Sequence, residues 1–390
     1  MRRVFVLALT LAACGRAPLD DGAPVCVDDR GATEPLYAPP CLSFTRDTAF
    51  DMLAGTAFTS SPRLSAVGTG PADFDVALQS DFAGRIAHWN GAAWTIETLP
   101  DDPYMIDLLA IDESGEPWAL VAERGNSKSG VGGPTALLHR RAGRWVVEPV
   151  PPKGNLGALG GARSGFFSST FEPASGVMHL WSWFDEGWHE MPTALSPAEM
   201  AANVSFSTTG FWGGSRCGQA LAFGGGSTMN SLFGTAFRLD GGGWTAVPVP
   251  VLSDILSVSG PSSNAVFVLA LDRNENGDPQ FFQLTNGFTT WTPVRSDREV
   301  DYTSVWSADG AHALAIGCRR PDPTNPTQSG CATATTLESD RSSTMPLAVE
   351  GTPASLWVDP QTHELHLFTN IADANGLLRG AHYVAPATCP

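Results

Sequence analysis

The chain has 390 residues, 43% of them apolar, and a net charge of −17 from 23 Lys+Arg against 40 Asp+Glu. This length and apolar content can bury a large core, and 41 Gly with 30 Pro stay below the share typical of disordered chains. Lysine occurs only at Lys128 and Lys153, so the charge balance disfavours a nucleic-acid partner. A membrane-spanning helix is not expected, since no run of about 18 apolar residues is present.

The first residues of the chain are typical of an export signal. A basic start at residues 1–3 precedes an apolar run at 4–13, which is the length of a secretory h-region. The sequence L-A-A-C-G at 11–15 resembles the lipobox of bacterial lipoproteins, in which the cysteine becomes the lipidated first residue. The resemblance implies a signal peptide over 1–13 and lipidation of Cys14; the alternative is an ordinary signal peptide that happens to contain this cysteine. Gly15, rather than Asp, implies the outer membrane by the same resemblance.

The segment after the predicted anchor differs from the rest of the chain. Residues 14–40 are acidic and rich in Pro, Gly and Asp. This composition predicts an extended tether, which leaves 41–390 as a single folded domain.

An internal repeat is the strongest signal in the folded part. Five units place a Trp after an apolar run and a turn, at Trp94, Trp145, Trp188, Trp244 and Trp291. An apolar run in the first half of the unit recurs at seven anchor positions about 48 residues apart. The anchors are Val67, Ile111, Leu159, Phe206, Val258, Val305 and Leu356. Seven units of four short strands predict an all-β fold, a seven-bladed β-propeller.

The last unit is one strand short, which predicts how the ring closes. Only three runs follow residue 354, so the fourth strand of this blade should come from residues 41–47, ahead of the first blade. One helix is predicted, at 196–202 between two blades, because S-P-A-E resembles a capping box.

Six cysteines beyond Cys14 suggest disulfides in an exported chain. Ring closure would bring Cys41 and Cys389 together, and Cys318 and Cys331 flank one loop of blade six. Cys26 and Cys217 would then remain to tie the tether to blade four. The competing scheme pairs Cys26 with Cys41 and Cys217 with Cys389.

The units resemble the tryptophan-containing propeller repeats of exported and lipid-anchored proteins of environmental bacteria, whose second half reads D/N-G-x-x-W. Residues 64–100 and 255–294 fit best, whereas blade six lacks the Trp. Such propellers carry many functions, so the resemblance implies a fold and little chemistry.

Known catalytic motifs are missing from the sequence. Neither GxSxG, HExxH nor GxxxxGK[ST] occurs, and residues 113–118 are only distantly similar to the Asp-box of sialidases. Trp181 and Trp183 depart from the repeat and are candidates for stacking on a sugar, although the repeat tryptophans as a class should pack between blades. Four aspartates near inner strands could serve an enzyme, but no acid/base pair is evident. They are Asp107, Asp112, Asp309 and Asp359.

One motif suggests a metal. Residues 272–278 read D-x-N-x-N-G-D and resemble the first half of a calcium loop. A structural Ca²⁺ would be held by Asp272, Asn274, Asn276 and Asp278. The alternative is a polar hairpin loop whose residues serve turn geometry.

The connections between second and third strands should emerge on one face, and those at 123–134, 224–231, 272–279 and 319–330 are long. We therefore expect a membrane-anchored binding or scaffolding module that engages an envelope protein or glycan through these loops. The alternatives are an exported glycan-active enzyme (hydrolase, lyase or oxidase) and a surface spacer without a ligand.

Overall fold

The computed structural model describes residues 41–387 except 54–63, 80–83, 101–104, 113, 123–135, 163–164, 173–176, 195–204, 214–218, 229–230, 241–242, 251, 273–277, 321–330 and 373–377. Its strands form seven antiparallel blades of four strands each, and blade four gains a short fifth strand. The predicted all-β, seven-bladed β-propeller is confirmed. Within the described residues, no helix is long and apolar enough to cross a bilayer.

The blades follow one another along the chain, and in six of them the four main strands are consecutive in sequence. Blades one to three comprise β2 (Leu64–Gly70), β3 (Asp73–Gln79), β4 (Gly84–Trp89), β5 (Trp94–Ile96), β6 (Met105–Ile111), β7 (Pro117–Ala122), β8 (Ala136–Arg141), β9 (Arg144–Glu148), β10 (Asn155–Ala162), β11 (Gly165–Glu172), β12 (Val177–Phe184) and β13 (Gly187–Met191). Blades four and five comprise β14 (Thr193–Ala194), β15 (Ser205–Gly213), β16 (Ala220–Thr228), β17 (Ser231–Asp240), β18 (Gly243–Ala246), β19 (Leu252–Ser262), β20 (Ala265–Asp272), β21 (Pro279–Thr285) and β22 (Thr290–Val294). Blade six comprises β23 (Val300–Trp306), β24 (His312–Arg319), β25 (Ala332–Glu338) and β26 (Ser342–Pro346), and blade seven has β27 (Thr352–Val358), β28 (Leu365–Ala372), β29 (Leu378–Ala385) and β1 (Thr45–Arg46).

The repeated residues occupy equivalent places in the blades. All seven anchors lie on the first strand of their blade, and all five repeat tryptophans lie on the fourth. Each blade buries both faces of its central strands against its neighbours, and seven apolar clusters fill the seven junctions around the ring. Trp244, for example, is fully buried with Phe167 between blades three and four. Burial of this apolar surface is the main force that holds the blades together.

The ring closes as predicted, with a strand from the beginning of the described chain. Strand β1 pairs antiparallel with β29, so that Thr45 lies opposite Val384 and Arg46 opposite Tyr383. This pairing supplies the fourth strand of blade seven. Because the strand precedes blade one, it joins the two ends of the propeller.

Asp47, directly after β1, anchors a buried polar chain at this closure. Its Oδ2 accepts hydrogen bonds from Trp94 Nε1 (2.8 Å) in blade one and His382 Nδ1 (3.0 Å) in blade seven. His382 Nε2 lies 3.0 Å from His366 Nδ1. One tautomer satisfies both contacts: His366 Nδ1–H donates to His382, and His382 Nδ1–H donates to Asp47. The carboxylate therefore links the two blades that the closure must join.

The pKa values of Asp47, His382 and His366 follow from burial and hydrogen bonding. Burial alone would raise the pKa of Asp47, but the hydrogen bonds from His382, Trp94 and the Ala49 amide outweigh it and lower the pKa to about 2. Burial, with a contribution from nearby His382, lowers the pKa of His366 to about 3. Burial also lowers the pKa of His382, although Asp47 opposes this change. At neutral pH the carboxylate is charged and His366 is neutral.

Three local features differ from the sequence expectation or fall outside it. A helix not predicted from sequence, α1 (Thr48–Leu53), follows Asp47, whose Oδ1 accepts hydrogen bonds from the Ala49 and Phe50 amides and caps it. The prediction of a long connection at 224–231 is wrong, because β16 continues to Thr228 and β17 begins at Ser231. The helix predicted at 196–202 lies outside the described residues.

The antiparallel order gives the ring two faces. We call the turn face the side that carries the connections from first to second strand and from third to fourth strand. The loop face, opposite to it, carries the connections from second to third strand. The long loop-face connections at 123–135 and 321–330 lie outside the described residues, so the expected binding surface on that face stays a prediction.

Candidate ligand-binding cleft between blades one and two

A cleft of about 280 Å³ opens between blades one and two near the turn face. It is lined by segments of β2 and β3 from blade one and by the β6–β7 and β8–β9 turns of blade two. Four charged side chains contribute to its wall: Asp73, Asp75, Glu116 and Arg140. Asp75 is buried, whereas Asp73 and Glu116 are open to solvent. The cleft therefore presents polar and predominantly acidic groups on rigid strands.

Arg140 connects the two blades inside this cleft. It projects from β8 towards blade one because its neighbours in the alternating strand pattern, such as Leu138, pack in that junction. Its guanidinium lies 3.4 Å from Asp75 Oδ2 and 3.5 Å from Glu97 Oε1. His88 Nδ1 lies 3.1 Å from Asp75 Oδ1 and the same distance from Arg140. A buried carboxylate, an imidazole and a guanidinium thus form one network behind the cleft.

The β6–β7 turn is organised by Asp112. Its Oδ1 accepts hydrogen bonds from Ser114 N (2.9 Å), Ser114 Oγ (2.7 Å) and Glu116 N (3.0 Å), and its Oδ2 accepts one from Trp118 Nε1 (3.1 Å). Gly115 allows the turn, with φ of +87°. Burial would raise the pKa of Asp112, but the adjacent His139 imidazole and these hydrogen bonds lower it to about 2. Asp112 is therefore charged at neutral pH and held in one orientation.

His139 faces this carboxylate from the neighbouring strand. Trp118 on β7 lies directly opposite His139 on β8, and the two rings stack with centroids 4.1 Å apart. The buried imidazole Nε2 lies 3.5 Å from Asp112 Oδ2 and 3.1 Å from Glu116 Oε2. Both oxygens are misaligned for a hydrogen bond, so Nε2 has no hydrogen-bond partner among the described residues. The other ring nitrogen, Nδ1, accepts a hydrogen bond from Arg141 Nε (3.0 Å), and Glu148 Oε1 lies 3.4 Å from it.

Two of the remaining aspartates named from sequence, Asp309 and Asp359, stabilise turns in different blades and do not converge on one site. Asp309 accepts hydrogen bonds from the Ala311 and His312 amides in blade six. Asp359 accepts them from the Gln361 amide and the Thr362 hydroxyl in blade seven. The side chain of Asp107 lies outside the described residues.

Half of the predicted calcium loop can be described. Asp278 Oδ1 accepts a hydrogen bond from Arg320 (2.8 Å), and Asp272 Oδ2 accepts one from Gln280. The structure therefore gives both carboxylates protein partners. Asn274 and Asn276 lie outside the described residues, and calcium binding stays a prediction.

Among the cysteines, the structure joins Cys318 to Cys331 across the blade-six connection. Cys41 is buried and belongs to a disulfide. Its predicted partner Cys389 lies outside the described residues, as do Cys14, Cys26 and Cys217, and those pairings remain predictions.

Trp181 and Trp183, the tryptophans of blade three that depart from the repeat, pack against other side chains. Trp181 is buried and donates its Nε1–H to Thr170 Oγ1 (2.9 Å), so it offers no face to a sugar. Trp183 packs edge-on against Trp118, with centroids 5.1 Å apart.

Sequence reasoning missed His139, Arg140 and Glu116. The one available signal was the H-R-R run at 139–141, a concentration of cationic side chains in an acidic chain.

Comparisons with known proteins bear on the architecture. The chain matches no family model, and no curated protein is significantly similar to it. One similar solved structure is U3-55K, with 11% identity and a TM-score of 0.54 over 90% of this chain and 100% of that one. Another is YCF48 bound to D1 peptide, with 11% identity and a TM-score of 0.51 over 92% of this chain and 100% of that one. A third is the polysaccharide lyase Uly1, with 9% identity and a TM-score of 0.53 over 85% of this chain and 91% of that one. Similarity at these identities concerns the fold alone. Together with the seven sheets arranged in a closed ring, it identifies the chain as a seven-bladed β-propeller.

Proposed function

We propose that the protein is an exported, lipid-anchored β-propeller that binds a protein of the bacterial cell envelope through the cleft between blades one and two. The observation that carries the proposal is the convergence of Asp73, Asp75 and Glu116 with a single guanidinium, Arg140, in one cleft. Three carboxylates against one fixed cation favour a positively charged guest. The net charge of −17 acts in the same direction over longer distances.

The size of the cleft restricts what enters it. A volume of about 280 Å³ lies just below the range for small-ligand sites, which begins at roughly 300 Å³. It accommodates one long side chain or one sugar ring. A Lys or Arg side chain of a partner fits both the volume and the charge, so the ligand is a protein segment that presents a basic residue.

Affinity purification with cross-linking of the full-length protein in its own cells tests this site. Asp73→Arg reverses the charge of a side chain that is 63% exposed, so the fold should tolerate it. Asp240→Arg makes the same change on the turn face of blade four, where the carboxylate is 56% exposed. We expect a stoichiometric envelope protein with the wild type and the Asp240 variant, and its loss with the Asp73 variant.

Other outcomes of this experiment contradict the proposal in distinct ways. Equal capture by both variants would place binding elsewhere on the ring, with the loop face as the first alternative. Binding of an envelope glycan array that Asp73→Arg abolishes would replace the protein ligand by a sugar. A chain that enriches neither protein nor glycan would support a surface spacer.

A glycan-active enzyme is the second candidate, favoured by two solvent-exposed carboxylates and a guanidinium at one cleft. Asp73 and Glu116 are the side chains that could supply acid and base there. New reducing ends or unsaturated sugars released from envelope polysaccharide, and lost in Glu116→Gln, would establish the enzyme. No product under conditions where the protein binds its partner would eliminate it.

The lipid anchor is proposed from the sequence at residues 1–15. Labelling with a palmitate analogue should modify the wild type and leave Cys14→Ala unmodified, with the variant released from the membrane fraction. Retention of Cys14→Ala in the membrane after high-salt washing would refute the anchor.

A further inference from the structure

We propose that Asp112, Glu116 and His139 form a binding site for a divalent transition-metal ion on the turn face of blade two. One ligand atom from each residue lies within 4.8 Å of the others: Asp112 Oδ2, Glu116 Oε2 and His139 Nε2. This group is the only one of three or more such residues found in the part of the chain that the structure describes. This metal site is distinct from the cleft proposed above to bind a basic side chain, although Glu116 lines the cleft as well.

The strongest evidence is the buried nitrogen of His139. The side chain is 5% exposed, and its Nε2 is aimed at two carboxylates without a hydrogen bond to either. A buried ring nitrogen without a partner costs free energy, about 1–3 kcal/mol in typical cases, so such atoms are rare unless something occupies the position. A metal ion between Nε2 and the carboxylates would satisfy this nitrogen.

The separations fit a coordination sphere. With metal–ligand distances of about 2.1 Å, neighbouring ligands lie roughly 3.0 Å apart in an octahedron and 3.4 Å apart in a tetrahedron. Nε2 lies 3.1 Å from Glu116 Oε2 and 3.5 Å from Asp112 Oδ2. Both separations therefore fit the coordination sphere of one ion, and the ligand oxygens of Asp112 and Glu116 lie within 4.8 Å of each other.

Groups around the ligands hold them in this arrangement. Trp118 stacks on the imidazole and also donates its Nε1–H to Asp112 Oδ2, which fixes two ligands relative to each other. Glu148 Oε1 lies 3.4 Å from His139 Nδ1 and 2.7 Å from Arg141 Nε. Arg141 Nε also donates to Nδ1 in the structure, at 3.0 Å. With a metal on Nε2, the imidazole proton would move to Nδ1 and face Glu148, and Arg141 would keep its contact with Glu148 alone. A carboxylate at the distal nitrogen is the usual support of a metal-bound histidine.

The donor set indicates the class of metal. One imidazole and two carboxylates suit Zn²⁺ or Mn²⁺, whereas Ca²⁺ prefers oxygen ligands alone. Three protein ligands leave coordination positions for water. Glu116, 42% exposed, is the side through which solvent would reach the ion.

The test is metal binding by the purified full-length protein in detergent, freed of metal by chelation. Calorimetry and metal analysis would be run with Zn²⁺ and Mn²⁺, with Ca²⁺ as the comparison ion, and Co²⁺ would report coordination through its visible absorption. We expect one equivalent of Zn²⁺ or Mn²⁺ bound at this site, with a change in tryptophan fluorescence because Trp118 stacks on His139. Glu116→Gln should weaken binding about 10-fold or more, and His139→Gln should abolish this equivalent.

A matched control lies in blade six. His312 Nδ1 contacts Asp309 Oδ2 at 2.7 Å on the same face, so His312→Gln removes another histidine beside a carboxylate. That variant should keep the bound equivalent. Because Glu116 is exposed, Glu116→Gln should fold even if His139→Gln does not, and circular dichroism would verify both. Wild-type stoichiometry and affinity in folded Glu116→Gln, or no binding by the wild type, would overturn the proposal.

Discussion

The Asp47→Asn substitution tests whether one carboxylate closes the propeller. The change keeps the shape of the side chain but replaces one acceptor oxygen by an amide group. In the native protein four donors converge on the carboxylate: the amides of Ala49 and Phe50 on Oδ1, and Trp94 Nε1 with His382 Nδ1 on Oδ2. Asparagine can cap helix α1 with its oxygen, but its NH₂ group would then face two donors.

The size of the effect follows from these contacts. Trp94 and His382 are 8% and 2% exposed, so water cannot readily replace the lost acceptor. Each buried donor without a partner costs about 1–3 kcal/mol, and partial access of water to Asp47 reduces the total to about 3 kcal/mol. The pKa of Asp47 leads to a similar scale. Its fall from 3.8 to about 2 corresponds to roughly 2 kcal/mol, or less after screening at a side chain that is 22% exposed.

Urea unfolding followed by tryptophan fluorescence and circular dichroism measures this loss. The control is Asp51→Asn, which removes a carboxylate in the same segment that pairs with exposed Arg46 at 2.9 Å. An exposed ion pair contributes about 0–1 kcal/mol, so the control should shift the midpoint little. A loss in Asp47→Asn no larger than that in Asp51→Asn would refute the assignment of Asp47 as the group that joins the ring.

Three further predictions concern stability. The pKa of His366 is lowered from 6.5 to about 3. The neutral imidazole therefore contributes fully to the free energy of unfolding above pH 6.5, and this contribution declines as the pH falls towards 3, by up to about 1.4 kcal/mol per pH unit. Urea midpoints at pH 7.5 and 4.5 should therefore converge in His366→Gln, and an unchanged difference would contradict the reasoning. A Cβ on Gly161 would lie 1.6 Å from a carbonyl oxygen of the neighbouring blade, so Gly161→Ala should lower the free energy of unfolding by about 3 kcal/mol or more. A Cβ on Gly187 would make only an ordinary contact with His189 Nε2 at 3.7 Å, so Gly187→Ala should unfold like the wild type. Replacing Cys318 and Cys331 by Ser opens a link across 13 residues and should lower the free energy of unfolding by about 3 kcal/mol, and a wild-type thermal midpoint would argue against it.

The architecture of the ring was predictable because each repeat is a sequence pattern within about 50 consecutive residues. Each blade carries its own alternating apolar runs, turns and, in five of them, a tryptophan on the fourth strand. Period-two alternation determines which side chains are buried, and turn residues determine where strands end. The missing strand of blade seven then left residues 41–47 as the donor, and the pairing of Thr45–Arg46 with β29 confirms this.

Local pattern did not predict helix α1 or the length of the blade-four connection. α1 is six residues long and depends on the cap from Asp47, which a search for periodic apolar residues does not detect. In blade four the run G-G-G-S-T indicated a loop, yet β16 extends through it to Thr228. Pairing with β15 and β17 on both sides stabilises these residues as strand despite their low intrinsic preference.

Composition and patterns within about 50 residues were enough to predict the number of blades, the place of closure and the acidic net charge. Which polar groups meet became evident from the folded ring. His139 faces Asp112 because the register of β7 and β8 sets it opposite Trp118. Asp47 reaches His382 across 335 residues because the ring closes there. Contacts between strands and between blades depend on register and packing around the whole ring, and no local pattern in the chain encodes them.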